Sequence, residues 1–532
     1  MTSAPIAAEN VVPRPSLVAR GIGFFSGTVG LVIKLFLLGA LAALAIWAVA
    51  ILFGDGKWLA ALAIGAATLL IVAIYVIPDR RLVPLKYLSP GTVFLVAFVA
   101  IPIISNVNIA FTNWSTLHNL TKDEAIVAIE ERSLVAPADA TTYTATPAKR
   151  DGELLLLLKE DTTGDLFVGT NDGLEPLAPG SATVENGAIV TADGYEVVKG
   201  NDLFTIDAEL NALKIPTGED TYIKSEGLSI ANEVVPTLVY DPANDTFKDI
   251  ETGTVYSDNG EGSYESAAGA VLEPGWRTHV GLQNFKTILT DPLIRDPFVR
   301  VFIWTFVFAF LSVLIQFAIG LFIAITLNKP GLKLRRTQRA LLVLPFAMPA
   351  FLAVLVWQGL LNDEFGIVNQ TLHTSIPWLF DPTWAKVSCI LVNVWLGFPY
   401  WFLVCTGALQ AVPEELTEAA RVDGAGGLQV FRKVTLPLLL VATAPLLIAS
   451  FAFNFNNFNN IYFLTGGGPY QVEQTVAGST DILISYTYKI AFQAGSGAQY
   501  GLAAAVSIFI FFIVAGISAI SFWRTRALEE IR

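Results

Sequence analysis

Read from its first residue, the chain alternates long apolar runs with short polar breaks, and the pattern changes character once, between residues 112 and 297. Stretches without Asp, Glu, Lys or Arg run over 35–54, 58–78, 87–121, 301–328, 340–362, 387–413, 434–472 and 490–523. A hydrocarbon core of about 30 Å takes about 20 apolar residues in a helix that rises about 1.5 Å per residue. The pattern therefore predicts eight transmembrane helices, with loop included in the longer stretches. Between the third and fourth the runs shorten. Asn186-Gly187 and Asp193-Gly194 each sit between short β-prone runs, and both dipeptides accept the positive φ of a two-residue hairpin turn. The five leucines from Leu154 to Leu158 read as a buried strand. The expected fold class is an α-helical polytopic membrane protein of eight transmembrane helices, with a large β-rich external domain inserted between helices 3 and 4.

Charge sharpens that division. Residues 112–297 carry 32 acidic and 12 basic side chains, against 14 acidic and 21 basic in the rest of the chain. Overall 53% of residues are hydrophobic and 15% charged, with a mean hydropathy of +0.57, whereas soluble domains carry about a quarter charged residues. A net charge of −13 and two cysteines exclude a nucleic-acid binder and a disulfide scaffold. Lys and Arg accumulate on loops that stay in the cytoplasm. Arg80, Arg81 and Lys86 share one short loop, Lys329, Lys333, Arg335, Arg336 and Arg339 another, and Arg421, Arg432 and Lys433 a third, while Arg524, Arg526 and Arg532 end the chain. The alternate loops offer Lys57, Lys386 and Lys489. Both termini are expected inside and the acidic insert outside. The expected organisation is a cytoplasmic segment 1–33, helices 1–3 over 34–111, the external domain 112–297, helices 4–8 over 298–523 and a tail 524–532. The first run is too long for a signal h-region and reads as a retained anchor.

Much chemistry is missing. There is no Gly-x-x-x-x-Gly-Lys-Ser/Thr loop to cradle ATP phosphates, and no His-Glu-x-x-His or paired Cys-x-x-Cys. His118, His279 and His373 are far apart, so no metal site is expected. Cys389 and Cys405, both in the sixth stretch, read as buried small residues. The spans lack the interior carboxylate, His or Lys of a proton-coupled carrier, so energy for uphill transport is expected from a partner. A membrane-anchored external enzyme or receptor is a rival reading. It needs a constellation in the insert, where Asp123-Glu124 is one acidic pair among many.

One cytoplasmic connection, 412–436, is more elaborate. Pro413 suits a first helical position, Glu414, Glu415 and Glu418 complement the positive end of a helix dipole, and Gly424 offers a left-handed stop. A second short helix is expected near Gly427, with Leu428 and Phe431 three apart on one face. Such an elbow is either a charged cap on two spans or a surface to be gripped. Glu418-Ala419-Ala420, then Gly424, then Val434-Thr435-Leu436-Pro437 resemble the permease loop of binding-protein-dependent ABC importers: Glu-Ala-Ala, three residues, Gly, nine residues, Ile-x-Leu-Pro. Val434 is the departure. The resemblance implies that Glu418, Ala419, Ala420, Asp423, Gly424, Leu428, Phe431, Leu436 and Pro437 couple the chain to an ATP-hydrolysing subunit.

Further stretches carry the likeness: Gly281-Leu282-Gln283-Asn284-Phe285, Trp395-Leu396-Gly397-Phe398-Pro399-Tyr400, Ser450-Phe451-Ala452-Phe453-Asn454-Phe455-Asn456-Asn457-Phe458 and Leu464-Thr465-Gly466-Gly467-Gly468-Pro469. With the span layout they resemble the MalF-type membrane subunits of maltose/maltodextrin importers. The likeness is strong from about residue 280 onward, and over the insert rests on position and size. On a helical wheel Ser450, Phe453, Asn454, Asn457 and Ile461 share an arc of about 100°, with Asn456 and Asn459 elsewhere. Amides in lipid either glue helices or line a wet cavity. The resemblance implies the second, with a sugar held by Ser450, Phe453, Asn454 and Asn457 and by Leu396, Gly397 and Tyr400. Asn393 is expected to hydrogen-bond between helices, and Pro399 to kink the sixth helix and free carbonyls near the path.

The family implies a bacterial inner-membrane permease that is not an enzyme and binds no cofactor itself. ATP and Mg belong to two P-loop ATPase subunits (MalK-like). Its other partners are a second homologous permease subunit (MalG-like), a periplasmic sugar-binding protein that the insert helps recognise, a maltose/maltodextrin-type sugar and membrane lipid, with no nucleic acid. A permease of the same class for trehalose, another oligosaccharide or glycerol phosphate is the alternative.

Overall fold

Buried in hydrocarbon, backbone amides and carbonyls have no water to bond, so an apolar run crosses a membrane as a helix or within a closed barrel. The computed structural model describes residues 27–77, 79–218, 220–329, 332–470, 476–493 and 497–529, and the runs are helices. Among the described residues seven helices are long and apolar enough to span: Gly27–Gly54, Trp58–Val76, Arg80–Ala110, Pro292–Leu327, Pro382–Gln410, Gly427–Thr465 and Tyr500–Ser521. The stretch 340–362, expected as one helix, is instead a pair, Arg335–Ala347 and Ala350–Leu360, bent by 93°. Proline is the cause. Pro345 lies inside the first half, Pro349 caps the second, and Met348 is extended at φ −83°, ψ 141°, as a residue before proline prefers. Residues 1–26 of the expected N-terminal segment, Val472 at the end of the seventh stretch and Arg532 lie outside the described residues.

The described residues up to Ser105 form one unit and those from Asn106 onward a second. In the first, Ala61 is the one buried side chain among the described residues. Apolar helix surfaces of this kind are ones that lipid covers without cost.

In the second unit the acidic segment forms sheets of nine, four and two strands. The leucine run lies in Glu153–Glu160, and Leu155 to Leu158 are at most 2% exposed because both faces of that strand are covered. Leu156 and Leu158 pack with Ile215 and Ile223, while Leu155 and Leu157 pack with Val168 and Ile189. Asn186 and Gly187, at φ 52° and 87°, close the hairpin Ala182–Glu185 to Ala188–Ala192 as expected. Asp193-Gly194 also turns, but the strand after it, Glu196–Val197, leaves to pair with Thr142–Arg150. A single bridge between Ala192 and Tyr195 remains there. Beside the four-stranded sheet, Lys122 at the start of helix Lys122–Arg132 bonds Asp245 and Asp258, each at 2.6 Å. That bond, with others from Tyr264 and Tyr240, holds the Asp245 carboxyl below its usual range.

The chain enters and leaves this segment through one laced seam. Asn113 donates to the carbonyls of Glu261 (2.7 Å) and Trp276 (3.0 Å) and accepts from the Thr278 N–H (2.8 Å). Asn284 donates to the carbonyls of Ala110 (2.9 Å) and Thr112 (2.8 Å), satisfying groups that a helix end leaves orphaned. The Gly281-to-Phe285 stretch thereby has a structural role, since Phe285 also packs on Phe111 and Phe509. Helix Pro292–Leu327 begins inside the stretch counted as external, with Asp291 capping the Leu293 N–H at 2.9 Å.

Spans four and six, Pro292–Leu327 and Pro382–Gln410, meet at Gly320, where an added Cβ would lie 2.6 Å from the Phe402 backbone nitrogen. Small residues of this kind let helix backbones touch in membranes. Cys389 and Cys405 are free and buried, as expected. The described charges nonetheless include a pair that the sequence reading missed. Asp481 and Lys489 meet at 2.6 Å with side chains 0% and 5% exposed. The Gly478 N–H and Ser485 hydroxyl also donate to Asp481, each at 2.7 Å, and Lys489 donates to the Tyr470 hydroxyl at 2.5 Å. Gly467 passes so close to Asp481 that any Cβ would overlap it, which accounts for a glycine there. Breaking a buried pair on one side costs about 3–5 kcal/mol. Lys489→Met should therefore lower the thermal stability of the detergent-purified protein sharply, and adding Asp481→Asn should recover most of the loss. Equal melting of wild type and Lys489→Met would contradict this role.

Candidate functional site

Four spans of the second unit converge on one cavity of about 620 Å³. The fourth contributes Gln316, and the broken fifth contributes Pro345, Phe346, Met348, Ala350 and Val354. From the sixth come Asn393, Leu396, Gly397 and Tyr400, and from the seventh Ala449, Ser450, Phe453, Asn454, Asn457, Asn459 and Asn460. All seven residues singled out for a solute line this space: Leu396, Gly397, Tyr400, Ser450, Phe453, Asn454 and Asn457.

The wheel fails in detail because the seventh helix is not continuous. It runs Leu436–Phe455, breaks at Asn456 and Asn457, and resumes at Phe458–Thr465. Residues beyond the break are rotated from their expected positions. Asn459, placed elsewhere by the wheel, lines the cavity, whereas Ile461 is 0% exposed and packs with Trp304, Phe308 and Val392. The sixth helix continues through Pro399.

The amides are bonded to one another. Asn393 Nδ2 donates to Asn454 Oδ1 at 2.7 Å, and Asn457 Nδ2 donates to Asn393 Oδ1 at 3.0 Å. Asn454 Nδ2 returns to the Ser450 carbonyl at 2.8 Å, and Gln316 Nε2 donates to the Asn393 carbonyl at 2.8 Å. Asn460 donates to the Cys389 carbonyl at 3.0 Å, while its Oδ1 has no partner within the protein. The expected helix-bridging role of Asn393 is thus present, and the same bonds line a cavity. Rings complete the wall. Phe346 stacks on Tyr400 with centroids 6.5 Å apart, and Phe453 stands 71% exposed. Hydroxyl-rich, C–H-faced molecules suit such a mixture of rings and carboxamides. Gln316, Asn459 and Asn460 were missed, although Gln316 is a lone amide in an apolar run and was detectable on that ground.

The elbow lies in a second cluster of candidate residues. Glu414–Val422 is helical, with Pro413 as its cap residue instead of its first helical one. Gly424 has φ 84°, and the N–H groups of Asp423, Gly424 and Ala425 return to the carbonyls of Ala419, Arg421 and Ala420. The expected second short helix is the first turn of the seventh span itself. Gly427–Val430 runs through a wide turn, Phe431–Thr435, into Leu436–Phe455. Leu428 and Phe431 diverge: Leu428 is 71% exposed, and Phe431 packs inward with Leu436. Glu418, Ala419, Asp423 and Pro437 are exposed and Ala420 is half-buried. Leu416 and Val422 add exposed apolar surface at 47% and 87%. Phe431, Leu436 and the cavity residue Tyr400 all pack against one core cluster that contains Trp401, Phe402 and Leu439. A movement of the elbow therefore has a packed route to the cavity wall.

Comparison with known proteins agrees with this layout. Residues 316–523 match the family model of the binding-protein-dependent transport system inner membrane component. Residues 93–172 match that of the N-terminal part of the TM subunit in PBP-dependent ABC transporters. The maltose/maltodextrin transport system permease protein MalF of Vibrio vulnificus (strain YJ016) is 35% identical over 514 residues, covering 94% of this chain and 95% of its own. MalF of Klebsiella aerogenes is 36% identical over 505 residues, with 92% and 96% covered. MalF of Escherichia coli (strain K12) is 32% identical over 520 residues, with 93% and 96% covered. With relatives this similar matched along nearly their whole length, the chain belongs to the MalF family of binding-protein-dependent permease subunits.

Proposed function

We propose that this chain forms half of a transmembrane path for a maltose/maltodextrin-type sugar in an ATP-driven importer. Both termini are cytoplasmic and the β-rich segment, residues 112–297, is periplasmic. The observation that carries the reading is the cavity of about 620 Å³ walled by carboxamides, a serine and aromatic rings. Sugar hydroxyls donate and accept together, as carboxamides do, and sugar C–H faces stack on rings. Among the described residues no Lys or Arg lines the cavity, which disfavours a phosphorylated solute. Leu396, Gly397, Tyr400, Ser450, Phe453, Asn454 and Asn457 would contact the sugar. A second, homologous permease subunit would close the side on which Phe453 stands exposed.

The chain does no ATP chemistry of its own. ATP and Mg act on two partner ATPase subunits, and the periplasmic binding protein delivers the sugar with the help of the acidic insert. The elbow presents Leu416, Val422 and Leu428 as apolar anchors among Glu414, Glu415, Glu418 and Asp423. Glu418, Ala419, Ala420, Asp423, Gly424, Leu428, Phe431, Leu436 and Pro437 pass ATPase closure to the spans. Exposed residues make the contact, and Phe431 and Leu436 transmit it through the cluster shared with Tyr400.

In proteoliposomes holding the assembled complex, Asn457→Ala and Tyr400→Ala should each cut sugar uptake about tenfold, the worth of one or two hydrogen bonds, without loss of subunits. Unchanged uptake would contradict the site. Gly424→Pro cannot adopt φ 84°, and Glu418→Lys reverses a charge on the docking face. Both should reduce sugar-stimulated ATP hydrolysis about tenfold or more while leaving the cavity intact. Normal stimulation in both variants would contradict the coupling role.

A further inference from the structure

The seventh span loses its regular backbone between Phe455 and Phe458, so Asn454 lies in the last turn of one helical piece and Asn457 lies within the break. Asn457 has φ −78° and ψ 70°, outside the helical region, although its N–H still reaches the Asn454 carbonyl at 3.2 Å. What joins their side chains is a carboxamide from another span. The Asn393 carboxamide donates to Asn454 Oδ1 at 2.7 Å and accepts from Asn457 Nδ2 at 3.0 Å. A hydroxyl is too short to reach both, and a carboxylate cannot donate.

Asn393 is itself held. It is 3% exposed, and Gln316 Nε2 donates to its main-chain carbonyl at 2.8 Å. Gln316 occupies a notch that exists because residue 397 is glycine, since a Cβ there would overlap its amide group. The bonds also decide which way the amides point. With Asn454 Oδ1 taken by Asn393 and Asn457 Nδ2 engaged by it, Asn457 Oδ1 keeps a single long contact, 3.4 Å, to the Asn460 N–H. That contact is the N-cap of helix Phe458–Thr465, and the remaining lone pair of Asn457 Oδ1 is left to accept from a solute.

From this arrangement we propose that Asn393 is a positioning residue that fixes the donor and acceptor orientation of Asn454 and Asn457 toward sugar hydroxyls. It rests on the reading of the cavity as a sugar path. Preorganised polar groups bind better than groups that must be ordered by the ligand, so loss of Asn393 weakens the grip on sugar through Asn457.

The test uses the reconstituted complex with its binding protein, radiolabelled maltose outside and ATP inside. Asn393→Leu, nearly isosteric, should lower the maltose moved per ATP hydrolysed about tenfold. The double variant Asn393→Leu/Asn457→Ala should fall no further than Asn457→Ala alone, because the first residue acts through the second. Wild-type transport per ATP in Asn393→Leu, a gain in it, or multiplying effects in the double variant would overturn the proposal. Should Asn393→Leu fail to assemble, Asn393→Ser is measured in the same way with the same expectations, and failure of both to assemble would assign Asn393 to folding and overturn it. A wild-type complex that takes up no maltose would defeat the sugar reading itself.

Discussion

Backbone that leaves a helix at membrane depth must find its hydrogen bonds inside the protein or in a wet cavity. The second unit breaks that regularity at Met348-Pro349 and at Asn456-Asn457, and both breaks border one cavity. Much of the site follows from this constraint. Carboxamides gather where ladders are interrupted, because they can donate and accept at once. The result is a cavity whose wall sets carboxamides and Ser450 among aromatic and aliphatic side chains, a mixture suited to a hydroxylated solute.

The same packing connects that space to the elbow. Tyr400 faces the cavity, yet it belongs to the cluster that also takes Phe431 and Leu436 from the foot of the seventh span. Gly320 brings the fourth and sixth spans into backbone contact beside that cluster. Close-packed interiors transmit displacement instead of absorbing it. A subunit that gripped Leu428 and the short acidic helix would therefore pull on residues that wall the cavity.

Much of this was legible in the sequence, for definable reasons. Charge-free runs marked the helices because lipid tolerates no other side chains there, and Leu154 to Leu158 marked a strand covered on both faces. The Glu-Ala-Ala, Gly and Leu-Pro spacing marked the elbow because the motif fixes a turn. The 93° bend was visible in principle in Pro345 and Pro349, whereas the break at Asn456-Asn457 has neither Gly nor Pro to announce it. A wheel drawn through that break put Ile461 in the path and Asn459 outside it. Asp481 and Lys489 are eight residues apart and meet because Asp481 precedes a short helix, Leu483–Phe492, whose last turn carries Lys489. Gln316 was visible as an amide in an apolar run, but the notch that seats it depends on Gly397, on a different span, and such a long-range fit leaves no periodic trace.

The central claim, that this chain is one half of a path driven by other subunits, is tested most directly by its company. The tagged chain is purified from its native membrane in mild detergent, and its stoichiometric companions are identified by mass spectrometry. The account predicts one further multi-span subunit and a P-loop ATPase in twice its amount. Recovery of the chain alone, under conditions that hold known importer complexes together, would contradict it.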